Sequence, residues 1–302
     1  MTLRGCFPVL CTPFDAEGAV DAAAFDQVVD FALGCSVQGV VFPGTASEVG
    51  HLTQDERAML IARLGARLDG RVPFVAGATA DTPEAVSDHI AAGAAAGATV
   101  AMVMAPKALG QDVSAHLEFF RAIDAPIPLM LQNAPAPFGA GLKPAQVAEL
   151  ARALDCVDYV KEETLPCGAN LSTVIELAGD SIKGVFGGAG GRYITDELAR
   201  GALGTVPAVE IADLHTALIA SWETGDLNEA RRLFAASLPM LNMQAIFRTR
   251  LTKEVLRRRG VIGASESRHP DPRMDAGDLA ELGIWCDWLS EDLSGPKLIA
   301  AE

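Results

Sequence analysis

Short apolar segments alternate with segments of helical spacing along the first two thirds of this 302-residue chain, and the alternation predicts an α/β fold, a (β/α)8 TIM barrel with a C-terminal helical extension. The apolar segments are nearly continuous, as expected for a parallel sheet covered on both faces. A doubly wound sheet would need a glycine-rich turn after its first strand, whereas residues 12–15 read Thr-Pro-Phe-Asp. The barrel is therefore favoured.

The elements follow in order. Eight strands are predicted at residues 5–12, 39–43, 72–77, 99–105, 127–132, 157–161, 181–186 and 202–206. Helices are predicted between most of them, at residues 21–32, 53–68, 82–96, 114–123, 144–154 and 169–178. Only helices follow the last strand, at residues 209–223, 227–241, 245–259 and 277–293. We expect a barrel over residues 1–224 and a helical extension over residues 225–302 that packs on it.

The composition excludes several classes of partner. The chain has 24 Lys and Arg against 39 Asp and Glu, a net charge of −15, which argues against binding of nucleic acid. No apolar stretch is long enough for a membrane helix, and the six cysteines lack metal-ligand spacing and are expected to be reduced thiols. The five histidines are also scattered, so we expect no metal site and a cytoplasmic location.

Lys161 is the strongest candidate for chemistry because it closes the sixth strand, and barrel active sites lie at the carboxyl ends of the strands. Alternation places Tyr159, Lys161 and Glu163 on one face. A buried ammonium is costly unless it is paired or loses its proton, and a neutral lysine is a nucleophile that forms a Schiff base with a carbonyl. The alternative is a lysine that extends from the strand end to solvent.

Three further strand ends carry polar or glycine-rich segments. Thr45, Ala46, Ser47 and Glu48 follow the second strand and would offer backbone N–H groups to a carboxylate. Gln132 ends the fifth strand, and Gly187 and Gly188 begin a run of four glycines in five positions after the seventh. The alternatives are an ordinary loop with a capping Ser or Thr at residues 45–48, a polar strand exit at Gln132 and a flexible loop at the glycine run. The basic segment 248–259 is interpreted as a solvated helix face.

Together these strand ends resemble the dihydrodipicolinate synthase and N-acetylneuraminate lyase family. The resemblance rests on four segments that agree in order and spacing: Gly5-x-x-Pro8 with residues 12–14, the Gly-Thr-Ala-Ser-Glu of residues 44–48, the Gln-Asn-Ala-Pro of residues 132–135, and the Tyr-Val-Lys-Glu that contains Lys161. It implies a (β/α)8 barrel in which Lys161 forms a covalent imine with a pyruvate-like 2-oxo acid. It also implies that the enzyme needs no cofactor and assembles as a homodimer or homotetramer.

Departures from the family pattern bear on the reaction. Gln132 replaces the Tyr that relays protons, no Tyr occurs near residues 107–109, and residues 136–139 lack the Arg that binds the aldehyde in the synthases. This combination looks more like the branch that dehydrates 2-keto-3-deoxy sugar acids of the L-2-keto-3-deoxyarabonate type. Proton transfer would then fall to Glu163 first, or to Ser47, Glu48 or a bound water. Gln132 would orient a substrate hydroxyl, and the Gly187–Gly191 loop would shape the far end of the pocket.

Two alternatives remain open at this point. One is a pyruvate-dependent aldolase, or a condensation like that of dihydrodipicolinate synthase, which uses the same imine. The other is a non-catalytic barrel that binds a 2-oxo acid, because the missing Tyr removes the family's proton relay.

Overall fold

The computed structural model describes residues 2–293. Its eight strands are all parallel and pair in the order β1-β8-β7-β6-β5-β4-β3-β2. Val9 bridges both Val41 and Ala208, which brings the first strand beside the second and closes the ring. The predicted (β/α)8 barrel is confirmed, with strands Gly5–Cys6 (β1), Val40–Phe42 (β2), Phe74–Gly77 (β3), Val100–Met104 (β4), Leu129–Asn133 (β5), Val157–Glu162 (β6), Gly184–Gly187 (β7) and Gly204–Thr205 (β8).

A helix follows each strand. Most predicted helices lie within two residues of their expected positions. The exceptions are the helix expected to start at 209, which starts at Ala212, the helix expected to end at 293, which ends at Leu289, and the segments 227–241 and 245–259, which form one helix. Many helices begin at a side chain that accepts from the first free N–H groups, as Thr53 does from Glu56. One short helix, Ile194–Ala199, was not predicted, because six residues are too few for a periodic pattern. The helices are Ala22–Gly34 (α1), Gln54–Leu68 (α2), Pro83–Ala95 (α3), Val113–Arg121 (α4), Pro144–Ala153 (α5), Cys167–Ala178 (α6), Ile194–Ala199 (α7), Ala212–Glu223 (α8), Leu227–Arg258 (α9) and Ala276–Leu289 (α10).

The strands separate two apolar layers. One face of each strand packs towards the barrel axis, where Met130, Tyr159 and Phe186 belong to a single buried cluster. The opposite face packs under the helices, where Leu131 and Val160 belong to another. This division follows from the two-residue period of a strand, and it decides which side chains can reach the barrel mouth.

The helical extension centres on α9, which runs for 32 residues. Two helices separated at residues 242–244 were expected, but the structure has one helix whose regular geometry fails at Arg248, where φ is +48°. Residues of α8, α9 and α10 share one apolar core. The expected boundary at residues 224 and 225 falls in the turn between α8 and α9, and the division into two domains stays a prediction.

The expectation that segment 248–259 forms a solvated helix face is wrong. Lys253, Arg258 and Arg259 are all buried. The guanidinium of Arg259 lies 2.6 Å from the carboxylate of Asp213 on α8, and Lys253 pairs with Glu48. These cations are buried because α9 packs between the barrel and the neighbouring helices, and each is paired: Lys253 with Glu48 after β2, Arg259 with Asp213 of α8, and Arg258 with Glu254 of α9 itself.

No helix among residues 2–293 is both long and apolar enough to cross a membrane. All six cysteines are free, and five of them are buried.

Replacement of Tyr159 by Phe tests the interior layer. The Tyr159 hydroxyl accepts a hydrogen bond of 3.0 Å from the buried N–H of Leu3, so Tyr159→Phe leaves that donor without a partner. We expect a loss of about 1–3 kcal/mol in the free energy of unfolding, measured by urea denaturation. Tyr193→Phe is the matched control, since the other tyrosine is only partly buried. Equal stability of the two variants would contradict this role of Tyr159.

Candidate active site

A cavity of about 220 Å³ opens at the carboxyl ends of the strands, closed on one side by α9. Four charged side chains line it, and the rest of its wall is small, apolar or amide-bearing. Those that enter the argument below are Thr45, Ala46, Gln132, Phe138, Lys161, Glu163, Ala189, Gly190, Arg192, Gln244 and Arg248.

Lys161 projects from β6 into this cavity. Its register partners are Gln132 on β5 and Phe186 on β7, and it is 5% exposed. The Nζ atom lies 3.1 Å from Oε2 of Glu163. Lys161 is therefore paired in the barrel interior and does not extend to solvent, so the solvent-facing alternative does not describe it.

Glu163 is held by three donors. Its Oε2 accepts from Gln132 Nε2 at 2.7 Å as well as facing Lys161, and its Oε1 accepts from the N–H of Ala189 at 2.9 Å. Burial favours the neutral acid, but the charge of Lys161 and the hydrogen bonds from Ala189 and Gln132 outweigh it and hold the pKa of Glu163 below its ordinary value. Glu163 therefore remains a carboxylate at neutral pH, in contact with the amine of Lys161.

The side chain of Gln132 is hydrogen-bonded to Glu163. One N–H of its amide donates to the carboxylate, and the expectation that Gln132 orients a substrate hydroxyl stays a prediction. Its side chain still lines the cavity.

Gly187 and Gly188 stand behind the cavity wall and give space to acidic side chains. A Cβ on Gly188 would lie 2.4 Å from Oε1 of Glu163, and one on Gly187 would lie 1.9 Å from Oε2 of Glu197. The next two residues, Ala189 and Gly190, form the wall itself. The absence of a side chain at Gly188 therefore allows Glu163 to approach the backbone of the loop, and the absence of one at Gly187 leaves room for Glu197.

The turn after β2 divides into two parts. Thr45 and Ala46 line the cavity, and within residues 2–293 no hydrogen bond uses their backbone N–H groups. Ser47 is turned away, since its hydroxyl accepts from Gly44 N–H and donates to the carbonyl of Leu10. The turn can therefore offer N–H groups to a carboxylate, while its serine fixes the turn's own shape.

Glu48 also points away from the cavity. Its carboxylate pairs with Lys253 and accepts from Ser267 Oγ at 2.9 Å and from His269 N–H at 2.6 Å. Burial lowers the pKa of Lys253, whose Nζ also lies 4.1 Å from the centre of the Phe14 ring. This cluster fastens the turn after β2 to α9 and to the segment beyond it.

Neither tyrosine of the chain reaches the cavity. Tyr159 lies deeper in the barrel, where its hydroxyl meets Leu3, and Tyr193 does not line the site. A tyrosine relay is therefore absent from the cavity formed by the described residues.

Sequence reasoning missed the cations of the wall. Arg192 follows the glycine run, and Arg248 stacks over the Phe138 ring at 4.3 Å. The positive φ of Arg248 is strained for a residue other than glycine and costs about 1–3 kcal/mol. The only sequence signal for Arg192 was its place directly after Gly191, and no local signal marks the break at Arg248.

Glu197 on α7 is a buried acid whose two carboxyl oxygens lack a hydrogen-bond partner among the described residues. Burial, reinforced by the nearby charge of Glu163, raises its pKa to about 8. The side chain is therefore largely protonated at neutral pH. No group of three or more His, Cys, Asp or Glu side chains among residues 2–293 is arranged to hold a metal ion.

Comparison with known proteins gives consistent results. A model of the dihydrodipicolinate synthetase family matches residues 2–281. The chain is 31% identical to an L-2-keto-3-deoxyarabonate dehydratase of Azospirillum brasilense, covering 92% of each protein, and 32% identical to a 4-hydroxy-tetrahydrodipicolinate synthase of Hyphomonas neptunium, covering 76% of this chain and 79% of that protein.

Solved structures share the fold. YagE of E. coli K12, a prophage protein of the dihydrodipicolinic acid synthase family solved with pyruvate, has a TM-score of 0.87 at 21% identity, covering 96% of this chain and 99% of its own. A dihydrodipicolinate synthase of Rhodopseudomonas palustris has a TM-score of 0.85 at 23% identity, covering 95% and 97%. At these identities the likeness establishes the barrel and its extension, not a substrate.

Glu197→Gln is expected to change how stability depends on pH. The folded-state pKa of about 8 lies above the ordinary value of 4.5, so between those values the folded protein keeps a proton that the unfolded chain has released. The wild type should therefore lose stability as pH rises through this window, by up to about 1.4 kcal/mol per unit, and the variant should lack this contribution.

The measurement is urea denaturation at pH 5, 6.5 and 8, with Glu176→Gln as the control because Glu176 is exposed on α6. Parallel pH profiles of wild type and Glu197→Gln would show that Glu197 ionises normally.

Proposed function

The chain belongs to the dihydrodipicolinate synthetase family of lyases, and we propose that it dehydrates a 2-keto-3-deoxy sugar acid, of the L-2-keto-3-deoxyarabonate type, through a Schiff base on Lys161. The observation that carries the proposal is the pairing of Lys161 Nζ with Glu163 at 3.1 Å in a cavity without tyrosine. Lys161 would be the nucleophile, and Glu163 would carry the protons that a tyrosine carries in the family pattern.

Imine formation begins with proton transfer from the ammonium of Lys161 to Glu163. The free amine adds to the C2 carbonyl, and the resulting carbinolamine loses its hydroxyl as water, with the proton returned by Glu163. Backbone N–H groups of Thr45 and Ala46 would bind the C1 carboxylate meanwhile. The product of these steps is an iminium ion, which withdraws electrons from C3.

Elimination follows from the same pair of groups. Glu163, again a carboxylate, takes a proton from C3 to give the enamine, and the electron pair then expels the C4 hydroxyl, which leaves as water after Glu163 protonates it. Hydrolysis of the conjugated iminium frees the amine of Lys161. Gln132 keeps Glu163 in place through its 2.7 Å hydrogen bond. No additional cofactor is needed in this sequence.

The aldolase alternative uses the same iminium but breaks the C3–C4 bond, releasing an aldehyde and pyruvate. A condensation reaction is a further alternative, because several relatives are named as synthases. Residues 136–139 contain no arginine for the aldehyde substrate of those synthases, which favours dehydration. Analysis of products therefore separates the reactions: dehydration yields neither pyruvate nor an aldehyde fragment.

We also propose a cytoplasmic homo-oligomer, a dimer or a tetramer. The free cysteines support a reducing compartment, and the family resemblance supports the assembly. Light scattering on the purified protein would measure the oligomeric state.

Borohydride trapping tests the Schiff base. We expect incubation with pyruvate and borohydride to attach one reduced adduct to Lys161, located by peptide mapping, because reduction converts the imine to a stable amine. The adduct should be lost in Lys161→Met and should persist in Lys183→Met, the matched control, since Lys183 is exposed on the outer surface and pairs with Asp158. A folded wild-type protein that gives no adduct on Lys161 would refute the mechanism.

Two substitutions test the carboxylate of Glu163. Glu163→Gln removes it, and Gly188→Ala introduces a Cβ that would lie 2.4 Å from Oε1 of Glu163 and so displaces it. We expect kcat for dehydration to fall by about 10²–10⁴ in Glu163→Gln and less in Gly188→Ala. Gly34→Ala is the control because its added Cβ meets no atom within 4 Å.

The outcome also separates a lyase from a binding barrel. A wild-type protein that forms the pyruvate adduct yet turns over no 2-keto-3-deoxy acid would support the binding barrel. Unchanged turnover in Glu163→Gln would instead assign proton transfer to another group.

A further inference from the structure

The turn after β2 owes its two free backbone donors to its own hydrogen bonds. The N–H of Ser47 donates to the carbonyl of Gly44 at 2.9 Å, and the N–H of Glu48 donates to that of Thr45 at 3.1 Å. This bonding leaves over the N–H groups of Thr45 and Ala46, at the cavity wall. Whether these two donors can share one carboxylate therefore depends on the conformation of the turn.

Glu48 closes the turn in a conformation that needs support from elsewhere. Its φ of +58° lies in the left-handed region, which is unfavourable for a residue with a side chain. Its buried carboxylate is held by the ammonium of Lys253, by Ser267 Oγ at 2.9 Å and by the N–H of His269 at 2.6 Å. Three donors from much later in the chain thus secure the last residue of the turn.

Lys253 joins the turn to α9. Its ammonium also donates to the carbonyl of Glu266 at 2.7 Å, and Thr249 and Thr252 on the same helix line the cavity. Burial lowers the pKa of Lys253, and the charge of Glu48 opposes this shift. The loss of either partner would leave the other buried without its counter-charge. One ion pair therefore connects two walls of the cavity.

This pair lies on the opposite side of the barrel from Lys161. The strands that carry the turn and the lysine, β2 and β6, are four strands apart in either direction around the ring. Lys161 has its own partner in Glu163, and within residues 2–293 no hydrogen bond or ion pair joins those two residues to Glu48 or Lys253. A change at Glu48 should therefore act on the turn and leave the amine unaltered.

We propose that the Glu48–Lys253 pair positions the turn after β2 for the carboxylate of the 2-oxo acid, and so sets the affinity for the anionic ligand although neither residue lines the cavity. The inference rests on the proposed function, because it assumes an imine on Lys161 and a carboxylate at Thr45 and Ala46. Without the pair, the turn loses the anchor of its left-handed end, and its two N–H groups lose the geometry that one carboxylate requires.

The test compares pyruvate with pyruvamide, which has the same 2-oxo group but no charge. Cyanoborohydride reduces the imine on Lys161 as it forms, and intact mass gives the second-order rate constant of adduct formation for each ligand. We expect Glu48→Gln to lower the constant for pyruvate about tenfold or more and that for pyruvamide by less than about twofold. The ratio of the two constants is the readout, because a loss of folded protein or of amine reactivity lowers both constants alike.

Further variants grade the effect and control for folding. Lys253→Met should lower the ratio as Glu48→Gln does, and the two effects should not add in the double variant. Ser267→Ala removes one hydrogen bond to Glu48 from a partly exposed residue and should lower the ratio about two- to threefold, so the test holds even if the charge variants do not fold. Asp213→Asn is the matched control: it breaks another buried pair of α9, with Arg259, away from the turn, and should keep the wild-type ratio.

The outcomes separate the two proposals. If pyruvate gives no adduct with the folded wild-type protein, the proposed function fails. If the adduct forms but the ratio is unchanged in every folded variant of Glu48, Lys253 and Ser267, or if the constants for the two ligands fall together, the positioning role of the pair is refuted while the Schiff base stands.

Discussion

The alternation of side chains along β6 is the constraint on which the site depends. Because successive residues of a strand face opposite sides, Tyr159, Lys161 and Glu163 point to the barrel axis, while Val160 packs under the helices and Glu162 bonds outside to Asn133 and Thr164. A slip of one residue would exchange these two sets. Lys161 lies opposite Gln132 in the register of the neighbouring strand. This register brings the side-chain amide of Gln132 to the carboxylate of Glu163.

Charge compensation is the second theme. Three buried ion pairs connect parts of the structure. They join a strand to the loop after it (Lys161 with Glu163), α9 to the turn after β2 (Lys253 with Glu48), and the end of α9 to α8 (Arg259 with Asp213). Buried pairs contribute little net stability, but their geometry is specific. They therefore define the position of α9 and of the loops at the mouth, so that the cavity is shaped before a ligand arrives.

Much of this could be read from the sequence. The strands, Lys161 at a strand end and Glu163 on the same face all follow from local periodicity. The conformation of the turn after β2 could not, and Ser47 and Glu48 lie beside the cavity without lining it because their side chains are used to fix that turn. The cations were missed because the position of Arg248 depends on a break within a helix and on how that helix docks, neither of which has a local pattern.

The cavity is assembled from two parts of the chain that are far apart in sequence. Lys161 belongs to a barrel strand, while Gln244 and Arg248 belong to a helix more than 80 residues later in the chain. Substitutions on that helix can alter what the wall recognises without moving the strand that holds the amine. Such a separation offers a route by which one barrel changes what it binds while the strand that carries Lys161 is retained, through substitutions at the few α9 positions that line the cavity.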